Sequence, residues 1–336
     1  MKEPLIASTS QISFGFTYVR LYRPKSLLRG KRALRPVVFV NETHGEGKLR
    51  RQASWSVPSG LRILQPAAPT AGLHFTPELL GRAAIKYGRA IAHAAEVAKA
   101  IAKACAGRPY EIEVSVDETE AVTTPLEHLF CGLELKQRNV PVVSLAPRFI
   151  GEFEKGIDYR GDFARFEAQL REHVAVAKYC GPYKISVHSG SDKFSIYPIV
   201  GRVCGDLLHV KTAGTSYLEA LRVVARTAPD LFGEIVEFCR GRFETDRKSY
   251  HLSTTLGEIN ALRRYSGVQD EALFLDERVG RQLLHVTFGS VLTLGADSKG
   301  RRFKEGILEQ LHQCADLHLE ILERHFTKHL SLLCKG

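Results

Sequence analysis

Residues able to do chemistry are densest between Tyr183 and Pro198. There a short apolar run ending at Val187 leads into His188, Ser189, Gly190, Ser191, Asp192 and Lys193. Side chains alternate along a strand, so Ile185 and Val187 share one face while Lys184, Ser186 and His188 share the other. Donors, acceptors and titratable groups just past a strand end are what an α/β enzyme needs for an active site. Two further histidines sit in similar runs, His209 between Leu208 and Val210 and His285 between Leu284 and Val286. Imidazoles brought together from three strands suit a zinc, nickel, iron or manganese centre, which carboxylates complete. The carboxylates available are Asp117, Glu118 and Glu120 at one strand end, and Glu152 and Asp192 in loops. A plainer alternative applies to each ring alone, since an inward histidine is commonly a hydrogen-bonded core residue.

The cationic residues have two readings as well. Lys193 and Lys211 could anchor an anionic substrate or polarise a carbonyl, or they could pair with Asp117 or Glu113. Arg148, after Ser144-Leu-Ala-Pro147, could clamp a carboxylate through both of its nitrogens or form an ordinary loop ion pair. His325 and His329 have the i,i+4 spacing a metal could bridge. Because Ile307, Leu311, Leu322 and Phe326 supply that stretch with packing residues, His312, His318, His325 and His329 are expected on a solvated helix face.

These residues must be positioned by a regular alternation of elements. Strands are expected at Tyr110–Asp117, Val140–Pro147, Tyr183–Ser189, Leu207–Thr212 and Leu283–Ser290. Helices are expected at about 124–138, 162–180, 215–227, 229–246 and 303–332, after an alanine-rich helix that opens at Thr76-Pro77-Glu78 and runs to about Cys105. Such alternation predicts a parallel sheet with helices outside it. One face of each strand is polar or small: Glu113, Ser115 and Asp117 in the first, Ser144 in the second, His209 and Lys211 in the fourth. That asymmetry favours a (β/α) barrel over a doubly wound sheet, which is more often apolar on both faces. Neither glycine-rich nucleotide motif occurs, so a nucleotide cofactor has no support.

Charge separates the first fifth of the chain from the rest. Of the 47 Lys and Arg and 37 Asp and Glu, residues 1–75 hold twelve and three, and they lack clear periodicity. They are expected to be a basic, poorly ordered segment, and residues 76–336 a catalytic domain of the barrel type. The near-neutral balance of that larger part argues against nucleic-acid binding, although the basic arm alone could meet a polyanion. No apolar run reaches the roughly 18 residues a membrane helix needs. The seven cysteines, never spaced C-x-x-C, are expected as free thiols in a cytoplasmic protein.

Several segments together resemble one family. They are Ser115-Val-Asp-Glu-Thr-Glu120, Ser144-Leu-Ala-Pro-Arg-Phe-Ile-Gly-Glu-Phe-Glu-Lys-Gly156, Ser186-Val-His-Ser-Gly-Ser-Asp-Lys-Phe194, His209-Val-Lys-Thr-Ala-Gly-Thr-Ser216, Asp246-Arg-Lys-Ser-Tyr-His251 and Arg281-Gln-Leu-Leu-His-Val-Thr-Phe-Gly-Ser-Val291. In order and spacing they resemble the tagaturonate epimerases. The resemblance implies a metal-dependent (β/α) TIM-barrel-like isomerase that interconverts D-tagaturonate and D-fructuronate in hexuronate catabolism. It implies a divalent cation (zinc, manganese, nickel or cobalt) on His188 and His209, with Glu152 and Asp117 as acid/base candidates. By the same carry-over, Ser144, Arg148, Ser191, Asp192, Lys193, Lys211, Thr212 and His285 would meet the sugar acid. Ser13-Phe-Gly-Phe16 also fits, but from Thr17 to about Phe75 the chain leaves the family pattern. The barrel is therefore expected to be incomplete on its N-terminal side. The remaining expectations are a related epimerase or aldolase acting on a neutral ketose, and a non-catalytic barrel fragment with a polyanion-binding arm.

Overall fold

The computed structural model describes residues 17–19, 37–40 and 77–334, apart from 213–214, 251 and 264–267. The expectations for the basic segment and for the Thr76 cap fall outside the described residues. The chain divides into two compact units, one comprising residues up to Arg148 together with Ala175–Lys184, the other Phe149–Val174 together with the chain from Ile185 onward.

The first unit holds β1 (Thr17–Val19), β2 (Val37–Val40), α1 (Pro77–Cys105), β3 (Glu111–Ser115), α2 (Pro125–Gln137) and β4 (Val142–Ala146). β1 is antiparallel to β2, while β2, β3 and β4 run parallel in that order. Alanine drives the long α1, which buries Ala83, Tyr87, Ile91, Ala94, Ala98, Ile101 and Cys105 at steps of three and four. α2 starts where Thr124 and Glu127 form a reciprocal capping box around Pro125. The polar face of this sheet is buried too: Glu113, Ser115 and Ser144 are each at most 6% exposed.

α3 (Phe163–Cys180) contributes its first part to the second unit and its end to the first. The second unit continues through β5 (Lys184–Val187), α4 (Tyr197–Cys204) and β6 (Leu208–Val210), with β5 and β6 parallel. Helices follow: α5 (Thr215–Thr227), α6 (Pro229–Asp246), a single 3-10 turn (Arg247–Ser249), α7 (Leu256–Ala261), α8 (Val268–Leu275), α9 (Arg278–Thr293), α10 (Phe303–Gln313) and α11 (Ala315–Leu333). Their apolar faces share a core that includes Leu221, Phe232, Val236, Phe243, Leu284 and Phe303. Among the described residues no helix is long and apolar enough to cross a membrane.

The fold is thus mixed α/β with parallel strands. Two expectations are corrected. Leu283–Ser290 is no strand but the middle of α9, so His285 is a helical residue. Burial explains the difference: Leu284, Val286 and Phe288 alternate with His285 and Thr287 as in a strand, but Gln282 to Thr287 are all buried, so the polar positions of the helix face inward as well. The single helix expected at 303–332 is broken at Cys314, whose backbone leaves helical geometry between α10 and α11.

Candidate functional site

The second unit concentrates its buried polar groups around the loop after β5. Lys211 N–H donates to the Val187 carbonyl and Gly190 N–H to the Lys211 carbonyl, extending the β5–β6 ladder into that loop. A side chain at Gly190 would put its Cβ 2.6 Å from Val210 Cγ1, so the two strands approach too closely for any other residue. Beyond it Asp192 adopts a left-handed backbone, φ 57°, turning its carboxylate inward.

Lys193 is fully buried, and its ammonium donates to the carbonyls of Glu154 (2.9 Å), Ser191 (3.2 Å) and Ile157. All three N–H bonds are used on backbone, and the lysine fastens the 154–157 segment to the 191–193 loop. Burial pulls its pKa down to about 8. Beside it, Glu154 accepts from Ser253 N–H (2.7 Å), Ser253 Oγ (2.8 Å) and Gln282 Nε2 (2.8 Å). Burial alone would raise this carboxyl, but those donors and Arg160 hold it below the ordinary carboxylate range. His285 faces Gly156, whose left-handed backbone (φ 74°) leaves room for the ring. The His285 Nδ1 is buried without a hydrogen-bond partner, and burial beside Lys155 and Arg281 pushes its pKa down to about 4.

A cavity of about 700 Å³ opens here, lined by loop residues Gly156–Asp158, Asp192 and Phe194 and by side chains from α5, α8, α9 and α11. Its basic groups differ in how they are engaged. Arg222 pairs with Glu219 (2.9 Å), Glu271 (2.9 Å) and Asp276 (2.8 Å), and Arg226 with Glu271 (2.6 Å). Arg278 pairs with Glu258, while Arg281 pairs with Asp192 and donates to the Gly156 carbonyl (2.6 Å). Arg324 and Lys328, one turn apart on α11, are exposed at the cavity and make no ion pair among the described residues. Lys328 instead lies over the Phe194 ring, 3.8 Å from its centroid.

Asp192 and His325 of this wall cluster with His329, and the ligand atoms of the three all lie within 4.8 Å of one another. His329 Nε2 is 3.1 Å from Asp192 Oδ1, and its Nδ1 donates to the His325 carbonyl at 2.8 Å. Burial would raise Asp192, but the His329 ring and the Arg281 guanidinium hold its carboxyl low. Burial pushes the His325 pKa down. The expectation of a solvated face is corrected for His329, which is only 6% exposed, and for half-buried His325, whereas His312 is exposed as expected. The signal was present in the sequence: Ile321, His325 and His329 follow at steps of four, and Ile321 is fully buried.

The residues singled out in the sequence are distributed over both units. In the first, Ser144 Oγ donates to Glu113, Ser115 Oγ to Asp117, and Arg148 to the Thr119 carbonyl. In the second, Glu152 pairs with Arg160 through backbone bonds in an isolated bridge, and His209 Nδ1 lies 3.0 Å from Ser186 Oγ on the neighbouring strand. His188 and Lys211 are half-buried and Thr212 is exposed, all just past β5 or β6. Ser191 and Asp192 are buried in the loop with Lys193. The residues not foreseen are Glu154, Gln282, Arg281, Arg324, and His325 and His329 as members of a buried cluster.

Parallel strands that end in polar loops, beside a cavity of mixed charge, define an α/β protein. Residues 67–333 match the family of tagaturonate epimerases. The tagaturonate/fructuronate epimerase of Thermotoga maritima is 44% identical over 261 residues, covering 78% of this chain and 52% of that protein. The native crystal structure of the fructuronate-tagaturonate epimerase UxaE from Cohnella laeviribosi superposes with a TM-score of 0.69 at 41% identity, covering 78% of this chain and 53% of the other. Its complex with one glycerol gives 0.71 at 40%, covering 77% of this chain and 52% of the other. The chain belongs to the tagaturonate epimerase family, and it spans about half the length of these relatives.

Proposed function

We propose that this chain is a metal-dependent isomerase that interconverts D-tagaturonate and D-fructuronate, built on a (β/α)-barrel lineage. The observation that carries the proposal is the 44% identity to a tagaturonate/fructuronate epimerase over 261 residues. The cavity supports it: Arg324 and Lys328 are cations without a carboxylate partner among the described residues, as capture of a sugar acid requires. That feature favours the uronate over the neutral-ketose alternative. The polyanion-binding arm falls outside the described residues.

The carbon that inverts lies β to the ketone, so simple enolisation does not loosen its hydrogen. Either the carbon chain is cleaved and rejoined as an aldol pair, or one group removes a proton and another returns it on the opposite face. Glu152 is assigned as acid/base, with Asp117 as the other candidate. His188 and His209, just past β5 and on β6, have the donor chemistry to hold a divalent cation, with carboxylates completing the set. Such a cation, when bound, stabilises the oxyanion that either route develops. Ser144, Arg148, Ser191, Asp192, Lys211, Thr212 and His285 are assigned to substrate contact or to shaping it. Lys193 acts through the loop it fastens.

Purified protein incubated with D-fructuronate and manganese, nickel, cobalt or zinc in turn is expected to form D-tagaturonate, and a chelator to stop it. Folded protein without conversion under any of these metals would overturn the assignment. Solvent deuterium at the inverted carbon would select proton transfer over cleavage.

A further inference from the structure

We propose that Asp192, His325 and His329 form a divalent transition-metal site that clips α11 to the loop after β5, separate from the cation assigned to His188 and His209. The argument begins with hydrogens. A carbonyl cannot donate, so the 2.8 Å bond between His329 Nδ1 and the His325 carbonyl places a hydrogen on Nδ1. In the neutral ring Nε2 is then a lone pair, and the long contact from Asp192 N–H to it, 3.4 Å, agrees with that. This lone pair lies 3.1 Å from Asp192 Oδ1. That oxygen is buried, accepts no hydrogen bond, and belongs to a residue only 4% exposed. These two buried ligand atoms face each other at a spacing that a shared cation, a proton or a metal ion, would bridge.

The surroundings choose a metal of the zinc or cobalt type. Bonds of about 2.0–2.2 Å from a tetrahedral centre hold neighbouring ligand atoms roughly 3.3–3.6 Å apart, a few tenths of an ångström wider than the 3.1 Å between Asp192 Oδ1 and His329 Nε2. His325, one turn before His329, brings the third ligand atom within 4.8 Å of the other two. The His329 ring carries the support typical of a ligating histidine, a backbone carbonyl on Nδ1, while His325 has the Glu219 carboxylate 3.7 Å from Nδ1 and Thr215 Oγ1 3.4 Å from Nε2. Asp192 divides its oxygens, Oδ2 going to Arg281 and Oδ1 remaining for the ion. Asp192 and His325 also line the cavity, so the fourth position opens towards it for water or a ligand oxygen.

The test is titration of the metal-stripped full-length chain with cobalt(II), read by absorption, metal content and thermal shift, none of which depends on turnover. The wild type should show four-coordinate cobalt bands and a raised melting temperature. His329→Phe keeps ring packing against Phe194 (4.9 Å) and Tyr197 (5.5 Å) but removes a ligand. It should bind one equivalent fewer, as should His325→Gln. Glu219→Gln should weaken binding roughly 10–100-fold. If these variants do not fold, cobalt in the wild type should still broaden the NMR signals of Phe194 and Tyr197. Unchanged stoichiometry and bands in the folded variants would overturn the proposal. So would a wild type that takes up no cobalt here, or whose Phe194 and Tyr197 signals stay sharp, with His329 Nε2 instead holding a proton against Asp192.

Discussion

The sheet face of the first unit and the β5 loop in the other unit share a polar, titratable composition, yet they are finished differently. In the first, each polar residue meets a neighbour that satisfies it: Ser144 with Glu113 across the β3–β4 register, Ser115 with Asp117 two residues on. Around the β5 loop, three buried atoms, Asp192 Oδ1, Gln282 Oε1 and His285 Nδ1, accept or donate nothing. A buried polar group without a partner costs about 1–3 kcal/mol, so a fold keeps several together only where something else uses them. Paired polar residues hold a sheet together, whereas an unpaired one that lines a cavity, as Asp192 does, points to a ligand.

The contrast can be broken most strongly at Lys193. Replacing it with Met keeps the bulk but leaves three backbone carbonyls without their donor. Urea unfolding should show a loss of about 3 kcal/mol, at roughly 1 kcal/mol per carbonyl. The next effect is one of pH. His285 has its pKa lowered from 6.5 to about 4, so between those values the unfolded chain binds a proton that the fold refuses. Its contribution to stability is fully present above pH 6.5 and is lost as the pH falls towards 4. The slope of unfolding free energy against pH in that window should flatten in His285→Phe. Smallest is Ser144→Ala in the first unit, which removes one donor from Glu113 and should cost about 1 kcal/mol. A Ser144 effect as large as that of Lys193 would erase the distinction between the two regions.

Much of the framework could be read from the sequence. β3, β4, β5 and β6 lie inside the expected strands, and α5 and α6 coincide with the expected 215–227 and 229–246. Those elements have one polar and one apolar side, or sharp starts such as Pro229, so period and punctuation agree. α9 carries no such signal, because its middle is buried on nearly every side. For the α11 histidines, position outweighs residue type: His325 and His329 continue the buried line of Ile321. The loop after β5 is legible as a cluster, but not which of its members face the cavity. Lys193 turns inward to carbonyls, and Arg324 and Lys328, cations without an ion pair among the described residues, come from the far end of the chain.

The central claim is that this chain epimerises a sugar acid held through its carboxylate. The most direct measurement compares kcat/KM for D-fructuronate and for D-fructose, in the wild type and in an Arg324→Ala/Lys328→Ala variant, with divalent metal supplied. The account predicts a clear preference for the uronate, reduced by roughly 100-fold in the double variant through a higher KM, at about 1.5 kcal/mol for each of the two charged hydrogen bonds lost. Equal handling of acid and neutral ketose, or a variant indistinguishable from the wild type, would contradict it.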